Sequence, residues 1–197
     1  MKLATSVVVL VCVGVAQTHD LMSPTLDIIG ELQKIKTMEN KLNALHEEVR
    51  ELKSKNEERV KVAFSASLSG SSGPRYYGPS PEATTLVYEN TFTNIGNAYD
   101  TNTGIFTAPV KGVYFFIFVV FNPDEEATGV RLLKNGILVA SASDNPPGHD
   151  SEDTTGNSVS LLLERGDRIY LQLIEKRRIY TDNWKRNTFS GHLLFAV

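Results

Sequence analysis

The spacing of apolar residues changes character twice along this chain. From Leu21 to Arg59 apolar side chains recur every three and four residues, the period of a helix with one sticky stripe. From Val60 onward they alternate in short runs, the period of strands, with turn-forming residues between the runs. Within the second part Gly112–Phe121 reads GVYFFIFVVF. Val113, Phe115, Ile117, Val119 and Phe121 fall on one face of such a strand, and Tyr114, Phe116, Phe118 and Val120 on the other. A strand with one wet face alternates apolar and polar residues, so both faces of this one need cover. One face can fill the core of a sandwich. The other requires a further layer of the same chain or a second chain.

The helical part fits a heptad register. Position a holds Ile28, Ile35, Leu42 and Val49, and position d holds Met38, Leu45 and Leu52. Glu31 at d and Asn56 at a are exceptions near the ends. Lys34 at g precedes Glu39 at e by five residues, as Glu48 at g precedes Lys53 at e, the signs that pair between parallel in-register chains. Residues 21–59 are therefore predicted to form a coiled-coil oligomerisation stalk. The competing readings are a lone amphipathic helix packed on the next domain and a membrane-surface helix. Mixed charge on the polar positions argues against the latter. Ile and Val at a with Leu at d lean towards two strands, but Met38 and the exceptions weaken that rule, and two or three chains remain open.

Beyond Val60 the pattern predicts strands at Val60–Leu68, Leu86–Tyr88, Ile105–Thr107, Gly112–Phe121, Gly129–Lys134, Ile137–Ala142, Ser158–Leu163, Arg168–Ile174 and Phe189–Ala196. Ser69–Pro81 and Asp144–Asn157 are expected to be exposed loops, rich in Gly, Ser, Pro and acidic residues. Asn135-Gly136 between two strands signals a tight hairpin. Many short strands at this spacing mean an all-β sandwich or jelly roll.

Composition and the N-terminus add a compartment. Met1-Lys2, an apolar run from Val7 to Ala16 and the small residues Gly14 and Ala16 predict a secretory signal peptide over residues 1–16. The run is too short to span a bilayer. Cys12, the single cysteine, lies inside it, so the mature chain has no disulfide, thiol catalyst or cysteine-held zinc. A net charge of −3 without a basic cluster argues against nucleic acid. The four histidines are scattered, and no nucleophile or phosphate-loop motif is present, so the chain reads as non-enzymatic.

Counting from Tyr88, Asn94 follows by six residues, Tyr99 by five more and Phe106 by seven more, and then come Gly112, Tyr114, Phe116 and Phe118. With Gly166-Asp167 before Arg168-Ile169-Tyr170-Leu171 and the ending Phe189-Ser190-Gly191-His192-Leu193-Leu194, this resembles the complement C1q globular-head family over residues 60–197. The family's usual first residue is Phe where this chain has Tyr88. The resemblance implies a ten-stranded jelly roll related to the tumour necrosis factor superfamily, assembled as a homotrimer, with room for higher oligomers. Tyr99, Phe106, Tyr114, Phe116 and Phe118 are then the aromatics of the core and trimer interface. It also implies three stalk chains. A collagen-like repeat precedes the head in many members and is absent here, which removes the usual docking site of complement proteases. The chain looks more like the short secreted C1q-like or cerebellin-like members, without the cysteines that join cerebellin trimers.

Two loop regions are the candidate sites. Asp144, Asp150, Glu152 and Asp153 fall within ten residues. Some members of the family bind calcium through aspartates of this loop, which makes Asp144 and Asp153 the candidate calcium ligands and calcium the only cofactor expected. Lys176, Arg177, Arg178, Tyr180, Trp184, Lys185 and Arg186 form a basic, aromatic region suited to acidic or carbohydrate ligands. The expectation is a secreted trimer that recognises extracellular glycan or protein patterns, lectin-like, in innate immunity. Its rivals are a signalling or synapse-organising ligand for a cell-surface receptor and a structural matrix component. Neither nucleic acid nor membrane insertion is expected.

Overall fold

The computed structural model describes residues 2–68, 73–146 and 152–197 and divides into two compact units, Met1–Arg59 and Val60–Val197. The first is a single helix, α1, Lys2–Glu58. Its heptad residues Ile35, Met38, Leu42, Leu45, Val49 and Leu52 are all exposed. They line one stripe along the helix. Lys34 pairs with Glu31 of the preceding turn at 2.7 Å, both exposed and worth little. Among the described residues no helix is long and apolar enough to cross a membrane.

The second unit is a β-sandwich. One sheet has the order β10-β7-β13-β1-β4, with β1 Ala63–Ser67, β4 Asn90–Ile95, β7 Gly112–Asn122, β10 Asp153–Leu163 and β13 Thr188–Ala196. The other has the order β5-β6-β11-β8-β9, with β5 Tyr99–Asp100, β6 Ile105–Thr107, β8 Thr128–Lys134, β9 Ile137–Asp144 and β11 Arg168–Leu173. A short β3, Thr84–Thr85, also pairs with β11, and β2, Arg75–Tyr77, makes a separate ribbon with β12, Ile179–Thr181. The pairings are all antiparallel, the arrangement of a jelly roll, in thirteen strand segments among the described residues where the resemblance implied ten strands.

An aromatic cluster fills the space between the sheets. Phe64 of β1 stacks on Tyr99 at 4.6 Å and meets Phe106 at 5.3 Å, and Phe106 meets Phe116 edge-on at 5.3 Å. Such pairs add about 0.5–1.5 kcal/mol each beyond the area they bury. Gly191 of β13 is small for a reason: a Cβ there would lie 2.5 Å from the Phe116 ring and 2.7 Å from Phe64. The hairpin between β8 and β9 turns on Asn135 (φ +52°) and Gly136 (φ +87°), with Lys134 opposite Ile137.

Some expectations need correction. Leu86–Tyr88 is not a strand. β3 belongs to one sheet and β4 to the other, so residues 86–89 cross between them, and Leu86 and Tyr88 are apolar because they drop into the core on the way. The Ser69–Pro81 loop contains β2, and residues 69–72 lie outside the described ones. β10 starts at Asp153, opposite Asn122, so 153–157 is strand rather than loop. The central stretch has the opposite parity to a shared core-and-interface role. Tyr114, Phe116, Phe118 and Val120 are fully buried between the sheets, as are Phe106 and nearly all of Tyr99. The outward face belongs to Val113, Phe115, Ile117 and Val119, none of them buried.

Candidate functional site

The chain enters the sandwich at Ala63, beside His192 and Ile95. The β2–β12 ribbon sits at the other end, where β7 finishes in Phe121 and Asn122. Its position follows from four anchors. Ile179 is fully buried in the core. Thr181 donates its hydroxyl to the Leu68 carbonyl at 3.3 Å. Asn187, 1% exposed, accepts the Phe121 N–H at 2.9 Å and donates to the Tyr180 carbonyl at 2.6 Å. The Asn187 carbonyl accepts the Leu68 N–H at 3.2 Å. With Ile179 turned inward, strand alternation puts Tyr180 on the outer side, directly opposite Tyr76 of β2.

A ladder of rings and guanidinium groups results. Arg186 lies over Phe121 at 4.0 Å, and Phe121 meets Tyr180 at 6.3 Å. Tyr180 meets Tyr76 at 4.9 Å, and Arg178 caps Tyr76 at 5.0 Å. Each terminal cation has its own carboxylate. Arg178 donates to Asp124 at 2.7 Å, and Arg186 lies 3.3 Å from Asp182. Partial burial pushes the Asp124 carboxyl up, but hydrogen bonds from Arg178, Asn122 and the Glu126 N–H outweigh it and hold the group below its ordinary value. The same bond raises Arg178.

Beyond β12 the chain turns sharply. Asp182 accepts the Trp184 N–H at 2.9 Å, and Lys185 takes a left-handed backbone, φ +55°. A non-glycine residue in that conformation costs about 1 kcal/mol, offset by the Asp182–Arg186 pair that braces the turn. The result holds Trp184 outward, 78% exposed. Lys185 folds back over Phe92 at 4.9 Å.

The predicted basic cluster is thus brought to one end of the head but divided in role. Arg177 donates to the Thr128 carbonyl at 2.9 Å and to the Asp144 carbonyl, tying the ends of β8 and β9. Arg178 and Arg186 are paired. Trp184, Lys185 and Lys176 remain exposed. Sequence reasoning missed Tyr76, Phe92, Phe121 and Asp124. The run Arg75-Tyr76-Tyr77 carried a signal, two aromatics inside a Gly- and Pro-rich stretch. The partnership of Arg178 with Asp124, far away in sequence, had none.

The acidic region is described only in part. Asp150 lies outside the described residues. Glu152 is exposed, Asp153 is half-buried at the start of β10, and Asp144 accepts the N–H of its neighbour Asn145 at 2.8 Å. Among the described residues no three His, Cys, Asp or Glu side chains come together to hold an ion. The Arg177 guanidinium against the Asp144 backbone further disfavours a cation there. The described residues alone do not make a calcium site.

Comparison with known proteins agrees with the geometry of the head. The family model described as C1q domain matches residues 63–194. Complement C1q tumor necrosis factor-related protein 3 of Mus musculus is 35% identical over 139 residues, covering 70% of this chain and 53% of that one. Caprin-2 of Danio rerio is 33% identical over 138 residues, 70% of this chain and 14% of Caprin-2. The chain thus spans about half of one relative and a small part of the other. Among solved structures, the globular domain of zebrafish complement 1qA protein has a TM-score of 0.53 at 21% identity, over 70% of this chain and 100% of that one. Eiger TNF from S. frugiperda has a TM-score of 0.55 at 13% identity, over 71% and 96%. At these identities the likeness is one of fold.

Proposed function

The chain belongs to the C1q domain family, and on that premise we propose that it is a secreted, non-enzymatic recognition protein that binds microbial or other extracellular surface patterns, lectin-like, as a homotrimer. The carrying observation is the ring ladder with Trp184 held outward on a braced turn at the end of the head away from Ala63. An indole held outward in this way offers a broad, largely apolar ring face on which a ligand can stack. The signal peptide at 1–16 supports secretion, and the exposed seam of α1 supports a stalk over 21–59.

Assembly supplies what single sites lack. Three weak sites on one particle raise avidity without any tight contact, provided that all three reach one surface. The uncovered outer face of β7 and the heptad seam of α1 are both surfaces that copies of the same chain would cover.

The test is binding of the secreted full-length chain to intact microbial cells. Saturable binding that drops sharply in Trp184→Ala supports the reading. Binding confined to a saturable, protease-sensitive site on animal cells overturns it in favour of a receptor-directed signalling ligand.

A further inference from the structure

We propose that the ring ladder takes a neutral, hydroxyl-rich saccharide by stacking, rather than an anion by charge. The proposal rests on the recognition reading and sharpens it, because composition alone pointed equally to acidic ligands. The observation behind it is that the guanidinium groups at this end are already engaged within the chain. Arg178 is held by Asp124 at 2.7 Å, Arg186 by Asp182 at 3.3 Å, and Arg177 by two backbone carbonyls. Arg75 lies over Tyr77 and 3.7 Å from Glu89. An incoming carboxylate or sulfate that takes one of these guanidinium groups leaves its internal carboxylate unpaired, which costs about as much as the new pair returns, so only the exposed ammonium groups of Lys176 and Lys185 are left to meet it.

Phe121 is buried and Tyr180 half-buried, so the surface open to a ligand at this end is that of Tyr76, beside its Arg178 cap, and of Trp184. Tyr76 is 48% exposed and Trp184 is 78% exposed, and each presents an apolar face beside polar groups. A sugar ring offers a matching surface, a sheet of C–H bonds rimmed by hydroxyls. A proline-rich peptide fits less well. It needs slots between upright rings, and Tyr76 and Tyr180 at 4.9 Å are packed against each other with no slot between them.

Trp184 is the chain's single tryptophan, so its fluorescence reports this site alone. The secreted full-length protein is titrated with yeast mannan and a soluble β-1,3-glucan as neutral probes, and with heparin as the anionic probe. The expected result is a saturable change with a neutral polymer, with a midpoint that moves less than about twofold between about 50 mM and about 500 mM salt. Tyr76→Ala, an exposed substitution that leaves Trp184 as reporter, raises that midpoint about tenfold. A response to heparin alone that vanishes at high salt overturns the proposal and leaves the recognition reading standing. So does a response to a proline-rich peptide in place of the sugars. If neither neutral polymer changes the fluorescence, the proposal also fails. The cell-binding assay above then decides separately whether recognition fails with it.

Discussion

Tyr88 is a hydroxyl in the wrong place. The side chain is wholly buried, and its Oη is among the buried polar atoms without a hydrogen-bond partner. Burial drives its phenol strongly upward, so it stays neutral, but neutrality does not restore the lost water. Nearby Tyr99 shows the contrast: its hydroxyl accepts the Tyr88 N–H at 3.1 Å and donates to the Tyr88 carbonyl at 3.2 Å. Tyr88→Phe removes only the orphan group, so it is expected to raise unfolding free energy by about 1 kcal/mol in chemical denaturation. Loss of stability would mean that the hydroxyl has a partner. Asp167 makes the opposite case. Lys134 donates to it at 2.8 Å, Asn135 at 2.8 Å and the Glu164 N–H at 2.9 Å, and these bonds, the Lys134 one foremost, lower its pKa to about 2. A depressed folded-state value means stability that is present above the ordinary carboxylate range and lost as pH falls from about 4 to about 2. Asp167→Asn should therefore cost about 1 kcal/mol at neutral pH, allowing for solvent screening, and progressively less below about pH 4. A pH-independent difference in denaturation midpoint would show that charge is not the cause. The sequence flagged Tyr88 as a departure and Gly166-Asp167 as a turn. It did not show which hydroxyl would be stranded, because that depends on neighbours brought together only by folding.

At the scale of elements, period and turn chemistry located most of the head. Eight of the nine predicted strands overlap observed ones, and Asn135-Gly136 gives the hairpin it announces. The failures have two causes: β4, Asn90–Ile95, is six residues long but buries none of its side chains fully, so no apolar alternation marks it, and the other missed strands are short. β2, β5 and β12 are two or three residues long, too short for any period to declare itself. Residues 86–88 carry strand-like apolarity because a buried crossing needs it as much as a strand does. The central strand is the subtler case. Both faces of β7 are apolar, so pattern alone left open which one meets the opposite sheet. Folding decides through Phe64, Tyr99, Phe106 and Phe189, which surround the even-numbered side chains. Phe116→Ser puts a hydroxyl and a void among those rings and should cost about 3–5 kcal/mol, enough to unfold the head near body temperature. Thermal melting by circular dichroism measures it, and an unchanged midpoint would contradict the parity.

For the molecule as a whole, the same strand separates folding from assembly. Ile117, 43% exposed, lies between Ser158 of β10 and Ser190 of β13 on the outer face, with the Phe115 ring tilted against His192 at 5.6 Å. None of these side chains helps to close the sandwich. Ile117→Asp should thus leave the melting curve of an isolated chain within about 0.5 kcal/mol of the parent. In a trimer the same aspartate would be buried three times around one axis with no cation to meet it, a cost of several kcal/mol per copy. The stalk opposes that loss, since α1 offers a second set of contacts through Leu42 and Leu45. Sedimentation of the secreted chain at micromolar concentration tests the balance. The parent is expected to sediment as three chains. Ile117→Asp should loosen the heads, and Leu42→Asp with Leu45→Asp should release the stalk. Only the combination of all three substitutions should yield a folded monomer. A combined variant that still sediments as three chains would place the interface elsewhere on the head. A parent that sediments as one chain would leave both the seam of α1 and the outer face of β7 without the partner that their apolar residues call for.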